Sequence, residues 1–116
     1  MLARTLAIIP IASAVDLTGR EGFFVTAAGA LTGANAAAFG VVTEGYPVGM
    51  NSSVAVCAGA VVVKVKLGAA VTVGQLVGSN AAGLAVPGAT TVCAQILEAG
   101  VADELVEAVL FRPGAP

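Results

Sequence analysis

Charged side chains are scarce in this sequence of 116 residues, which has five basic and seven acidic residues, or 10% of the chain. A typical soluble domain carries about 25%. The basic residues are scattered and do not alternate with aromatic ones. Nucleic-acid binding requires clustered Lys and Arg that displace counterions. Direct binding to nucleic acid is therefore not expected.

Histidine is absent, which excludes His-based triads, the usual zinc sites and the commonest general base. No serine lies in a GxSxG motif, and the sequence contains neither a GxGxxG fingerprint nor the Gly-Lys pair of a P-loop. We therefore expect a protein that is not an enzyme, with no catalytic residue, no cofactor and no metal site.

Two smaller groups of reactive side chains leave alternatives open. Cys57 and Cys93 lie outside any metal-binding spacing and among apolar neighbours, which favours buried free thiols, although a disulfide between them stays open.

The acidic residues near the C-terminus are Glu98, Asp103, Glu104 and Glu107. They could form a calcium or general-acid site, but no EF-hand spacing is present. We favour a solvated rim that keeps an apolar surface soluble.

Long uninterrupted hydrophobic runs are also missing, although hydrophobic residues make up 58% of the chain. The uncharged stretch 67–97 is broken by Gly, Thr, Ser, Asn and Pro, whereas a membrane-spanning helix needs about 20 mostly apolar residues. No transmembrane helix and no membrane partner are predicted.

Residues 1–15 have two possible interpretations. They could be a signal peptide with a small-residue cleavage site at Ala12-Ser13-Ala14. Their single basic residue and Pro10 favour an N-terminal arm or first strand, with a β-rich domain over residues 16–116.

What the sequence does contain is a series of short Val-rich runs separated by Gly-containing turns. This pattern predicts an all-β fold, a small β-barrel or β-sandwich forming a single compact domain, with at most one or two short helices. The expected strands are 22–25, 39–43, 53–57, 61–67 and 105–111, and the expected helical pieces are Gly33–Ala38 and Ala99–Val106. In the run VVVKVKL, Val63, Val65 and Leu67 should face the core and the two lysines should face away.

The glycine-rich stretch GQLVGSNAAGLAVPG, Gly74–Gly88, is the one segment that looks superficially like a phosphate-binding loop. No strong helix follows it to present N-terminal amides to a phosphate. A hairpin accounts for it better, with strands at Gln75–Val77 and Leu84–Val86 and a turn over Ser79–Gly83.

Taken in order, several segments resemble the small capsid decoration, or cement, proteins of tailed bacteriophages, including the DUF2190-type families. The segments that carry the resemblance are Asp16–Val25, Ala38–Gly45, Ala58–Lys66, Leu67–Val86, Val92–Gly100 and Glu104–Gly114. The resemblance implies a structural protein on the outer surface of an icosahedral head, where it would stabilise the shell against the pressure of packaged DNA. Its implied partners are the major capsid protein and other copies of itself, as a homotrimer in the favoured case or a dimer.

The scarcity of charge fits that expectation, because a surface with so few charges and 25 alanines is better suited to burial against other chains than to water. A bland soluble surface of Ala and Gly is the alternative. We expect the N-terminal arm to contact the capsid or a sister subunit, and Arg4, Arg20 and Arg112 to be polar contacts because charges are rare here. Two other functions stay open: a β-barrel subunit of a phage tail or head–tail connector, and a small ligand-binding β-barrel.

Overall fold

Nine β-strands lie within residues 8–58 and 61–115, the residues that this computed structural model describes. They are β1 (Ile8–Ala12), β2 (Phe24–Val25), β3 (Gly40–Glu44), β4 (Asn51–Val56), β5 (Val61–Lys66), β6 (Leu76–Ser79), β7 (Ala85–Pro87), β8 (Val92–Ile96) and β9 (Leu105–Gly114). The four-stranded sheet has the order β1-β4-β3-β2, and the five-stranded sheet has the order β5-β9-β8-β6-β7. Neighbouring strands within both sheets are antiparallel. The predicted all-β, single-domain fold is confirmed.

The main hydrophobic core lies between the two sheets. Phe24, Val41 and Ala55 contribute to it from the four-stranded sheet, and Val65 and Leu110 do so from the five-stranded sheet. Side chains alternate between the two faces of a strand, so every second residue of β5 faces the core. Val61 and Val63 pack against the core and Val65 is buried within it, whereas Val62 and Lys64 are exposed. The predicted orientation of the VVVKVKL run is therefore correct.

The four-stranded sheet is also covered on its other face. Leu17, Val25, Val42 and Val54 form a second small core there, since the segment between β1 and β2 folds back over the sheet. Ser13 and Ser52 are both buried beside it and share a hydrogen bond of 2.6 Å between their hydroxyl oxygens. A buried hydroxyl needs such a partner, and this pair ties the chain after β1 to strand β4.

The glycine-rich stretch forms the predicted hairpin, with boundaries shifted by one residue or more. Strands β6 and β7 pair from Val77–Pro87 to Ser79–Ala85. The Asn80 side-chain oxygen accepts the backbone N–H groups of Ala82 and Leu84, at 2.8 and 3.0 Å. This Asx-type bonding stabilises the turn locally. The turn also binds the other sheet, because the Phe24 N–H donates to the Gly83 carbonyl at 2.7 Å.

Neither predicted helical piece forms a helix, and none occurs elsewhere in residues 8–58 and 61–115. At Gly33–Ala38, Asn35 adopts a φ of 58° and its N–H donates to the Ser79 carbonyl, which takes it out of a helical ladder. At Ala99–Val106, Asp103 has a φ of 71°, and Gly100 exchanges N–H···O bonds with Val71. Both segments satisfy their backbone groups with distant partners, which local sequence does not reveal. This part of the chain likewise has no helix long and apolar enough to cross a membrane.

Candidate contact surface

Arg20, the first predicted contact that the structure describes, lies in the turn after Gly19. Its N–H donates to the Leu17 carbonyl at 2.9 Å, and its guanidinium carbon lies 5.1 Å from the centre of the Phe23 ring. The face of an aromatic ring attracts a cation at this distance. In the same turn, the Thr18 backbone N–H donates to Asp16 at 3.0 Å and lowers the pKa of that carboxyl, with a smaller contribution from Arg20. The turn therefore presents a cation and an anion to solvent.

Arg112 is the second predicted contact residue. It lies near the end of β9 beside an open cleft of about 480 Å³. Apart from the guanidinium, the cleft is lined by uncharged side chains: Thr26, Ala27, Ala37, Ala38, Phe39, Val56, Cys57, Ala58 and Pro113. An apolar cleft with one cation at its wall can accept an apolar side chain that neighbours a carboxylate. The third predicted contact, Arg4, lies outside the described residues.

The structure does not bring Arg20 and Arg112 together. Gly22, two residues after Arg20, accepts the Lys66 N–H at 2.9 Å, and Lys66 pairs with Leu105 at the start of β9. Arg112 follows Leu105 by seven residues on the same strand, and at ~3.3 Å per residue these two positions are roughly 23 Å apart. The two arginines therefore lie towards opposite ends of the sandwich and cannot form one anion site.

An exposed apolar loop cluster was not foreseen from the sequence. Val15, Tyr46, Val48 and Met50 are all exposed, with Val48 at 62% and Met50 at 53%. We call these four residues the contact loop. They come from two segments that are distant in sequence, so periodicity within either segment could not reveal them. The run YPVGM, with apolar residues and no strand pattern, was the only local signal.

The contact loop is held in place mainly by hydrogen bonds of its backbone. The Ser13 N–H donates to the Met50 carbonyl and the Gly49 N–H to the Ser13 carbonyl, both at 2.9 Å. The Tyr46 N–H donates to the Ser52 hydroxyl at 3.0 Å. Four apolar side chains are thus fixed in water-exposed positions, and such patches on monomers commonly mark interaction sites.

The acidic residues near the C-terminus are used in local hydrogen bonding. Glu104 accepts the Val101 N–H at 2.8 Å, and Glu98 accepts the Glu107 N–H at 3.3 Å. Among residues 8–58 and 61–115, no group of three or more acidic, Cys or His side chains is arranged to hold a metal ion. The carboxylates of Glu98 and Glu104 therefore cap backbone groups at an exposed rim.

Both cysteines are buried free thiols, as predicted, and they belong to the same core cluster. A hydrogen bond to Cys57, together with burial, raises the pKa of the Cys93 thiol. Because the thiolate is the reactive form, we expect iodoacetamide at about pH 8 to leave Cys93 unmodified in the folded protein and to alkylate both cysteines in denaturant. Peptide mapping by mass spectrometry checks this. Rapid alkylation of Cys93 without denaturant would contradict the structure.

The fold has a counterpart among solved structures. It is similar to that described as the crystal structure of head fiber gp8.5 N base in bacteriophage phi29. The TM-score is 0.68 at 15% sequence identity, and the match covers 89% of this chain and 92% of that chain. No family model and no curated protein matches the sequence. At this identity the likeness shows a shared fold that extends over nearly the whole of both chains.

Proposed function

We propose that this protein is a structural, non-enzymatic decoration protein that binds the outer surface of a tailed-bacteriophage head and stabilises the shell against internal DNA pressure. The observation that carries the proposal is the end-to-end likeness to the N base of a phage head fiber. The ordered sequence motifs support the same class independently, and the DUF2190-type assignment rests on those motifs alone.

The proposed partners are the major capsid protein and further copies of this chain, as a homotrimer or, alternatively, a dimer. Neither nucleic acid nor membrane is a proposed partner, and the proposed location is the virion, after synthesis in the bacterial cytoplasm. The contact loop supplies exposed apolar side chains for the capsid contact, and burial of apolar surface contributes roughly 25 cal/mol per Å². A modest footprint repeated over many sites would strengthen a shell substantially.

Binding to the shell can be tested directly with purified protein and expanded, undecorated heads. We expect saturable co-sedimentation at a fixed ratio to the capsid subunit. Val48→Asp in the contact loop should weaken binding at least about 10-fold, because a charge would have to be desolvated in an apolar contact. Val73→Asp is the matched control, since Val73 is 66% exposed and Val48 is 62% exposed, but Val73 lies outside the contact loop.

Truncation of the N-terminus tests the predicted arm and Arg4. The deletion should end at Ala7, because Ile8–Ala12 forms strand β1 paired with β4, and Ser13 bonds to Ser52. Removing residues 1–15 would therefore damage the sandwich as well as the arm. Weaker shell binding by the 1–7 deletion at unchanged melting temperature is the expected result. Unchanged binding would remove the arm from the proposal.

Failure of the wild-type protein to bind expanded heads would overturn the decoration role. The tail or head–tail connector subunit would then become the leading candidate. A ligand-binding barrel would be supported only if a small molecule entered the Arg112 cleft, whose size of about 480 Å³ lies within the range of ligand pockets.

A further inference from the structure

The five-stranded sheet carries a partly exposed aliphatic row on the face turned away from the core. Strand register places Val62 opposite Val109, Val109 opposite Gln95, and Gln95 opposite Leu76. The row thus crosses β5, β9, β8 and β6 and holds three aliphatic side chains and one neutral amide. Val62 is 54% exposed and Leu76 is 37% exposed.

Two opposite charges lie beside this row. In the strand register, Lys64 on β5 lies directly opposite Glu107 on β9. Each lies two residues from the Val62–Val109 pair and on the same face of the sheet. Both side chains are exposed. Residues directly opposite in an antiparallel pair have Cβ atoms about 4.5–5.5 Å apart. We call the six residues Val62, Lys64, Leu76, Gln95, Glu107 and Val109 the outer face.

We propose that the outer face is the contact surface between copies of this chain. A cation and an anion side by side make the face electrostatically complementary to itself. When a second copy is related by a two-fold rotation, its Glu107 can approach Lys64 while the aliphatic rows pack together, and the contact gives the dimer of the two proposed oligomers. A partner bearing a charge of one sign would leave either Lys64 or Glu107 opposed to a like charge, which favours a second copy of this chain as the occupant.

This proposal deepens the proposed function by naming the surface through which copies meet. It rests on one part of the proposed function, namely that the protein assembles as a closed homo-oligomer. The contact loop is held by the segments around β1 and β4, in the four-stranded sheet, whereas the outer face belongs to the five-stranded sheet. The two surfaces lie on different sheets. An oligomer that closes through the outer face therefore leaves the contact loop available to the shell.

The test is the solution mass of the purified full chain, measured by sedimentation velocity without any capsid present. We expect the wild type to have a mass of at least twice the 11.2 kDa of one chain. Val62→Asp should weaken association at least about 30-fold, because a charge would have to be desolvated against the aliphatic row of the second copy. Val48→Asp is the matched control and should keep the wild-type mass. Circular dichroism confirms that both variants remain folded.

Charge reversal provides the second measurement. Lys64→Glu and Glu107→Lys should each weaken association by about 10-fold or more, and the double variant should recover most of the wild-type affinity. A monomeric wild type, or a Val62→Asp variant with unchanged association, would overturn the proposal, as would a double variant no better than the single ones. Oligomers that fail to bind heads would overturn the decoration role and leave this interface intact.

Discussion

Alanine in place of Gly29 is expected to lower the free energy of unfolding by about 4 kcal/mol or more, and so to leave little folded protein. Gly29 has a φ of 84°, a conformation that side chains with a Cβ rarely adopt. A Cβ there would overlap the Ala12 carbonyl oxygen and lie 3.0 Å from the Ala14 nitrogen. These are backbone atoms at the end of β1, so no side-chain rotation can relieve the overlap.

Gly49→Ala separates the two contributions to this effect. Gly49 has nearly the same φ, 86°, but an added Cβ would meet no atom within 4 Å. The conformational penalty alone should cost about 1–2 kcal/mol. Urea unfolding of the two variants compares them directly. Equal destabilisation would show that the segment around Gly29 does not pack against the end of β1 as the structure has it.

Truncation of Leu110 to alanine is the second large effect, with an expected loss of about 2–5 kcal/mol. Leu110 is fully buried on β9, opposite Val61 on one side and Ala94 on the other. Its removal would leave a cavity in the main core beside β9, where both neighbouring strands hold the backbone in place and limit collapse.

Leu105→Ala on the same strand is the matched control. Leu105 is 42% exposed, so its truncation should cost at most about 1 kcal/mol. Thermal or urea unfolding of both variants would measure the difference. If the Leu105 variant lost as much stability as the Leu110 variant, the assignment of the two faces of β9 would be wrong.

Patterns confined to one segment were predictable from the sequence. The alternation in Val61–Lys66 identified the strand and its buried face, and the turn residues between Leu76 and Pro87 identified the hairpin. In both cases the information lies within a few neighbouring residues, because strand alternation and turn chemistry are local. The length of the chain predicted a single domain, and the series of short Val-rich runs between turns predicted its all-β fold.

Features that depend on distant pairing were not predictable in the same way. The segment Ala99–Val106 was expected to be helical, but Gly100 pairs with Val71 and the Asp103 N–H donates to the Leu67 carbonyl. The contact loop depends on bonds between Ser13 and the 49–50 segment. The prediction for the arginines rests on the rarity of charge, and rarity gives no information on position. Arg20 and Arg112 accordingly lie far apart.

The contact loop and the outer face are proposed to bind different partners, the shell and a second copy of the chain. The four-stranded sheet has a small core on each side of strands β3 and β4, and its hydrogen bonds hold the contact loop, which suits attachment to a shell. The five-stranded sheet keeps one face exposed and self-complementary, which suits contact between copies. Substitutions on the two surfaces should therefore affect different measurements: shell binding for the contact loop and oligomer mass for the outer face.

The most direct test of the central claim is the temperature at which filled heads release their DNA, with and without this protein. Heads lacking the protein should release DNA at a lower temperature, and adding purified wild-type protein should restore the higher value. Val48→Asp protein, which should bind weakly, should restore it only at much higher concentration. Identical release temperatures for heads saturated with the protein and for heads without it would contradict a stabilising role on the shell.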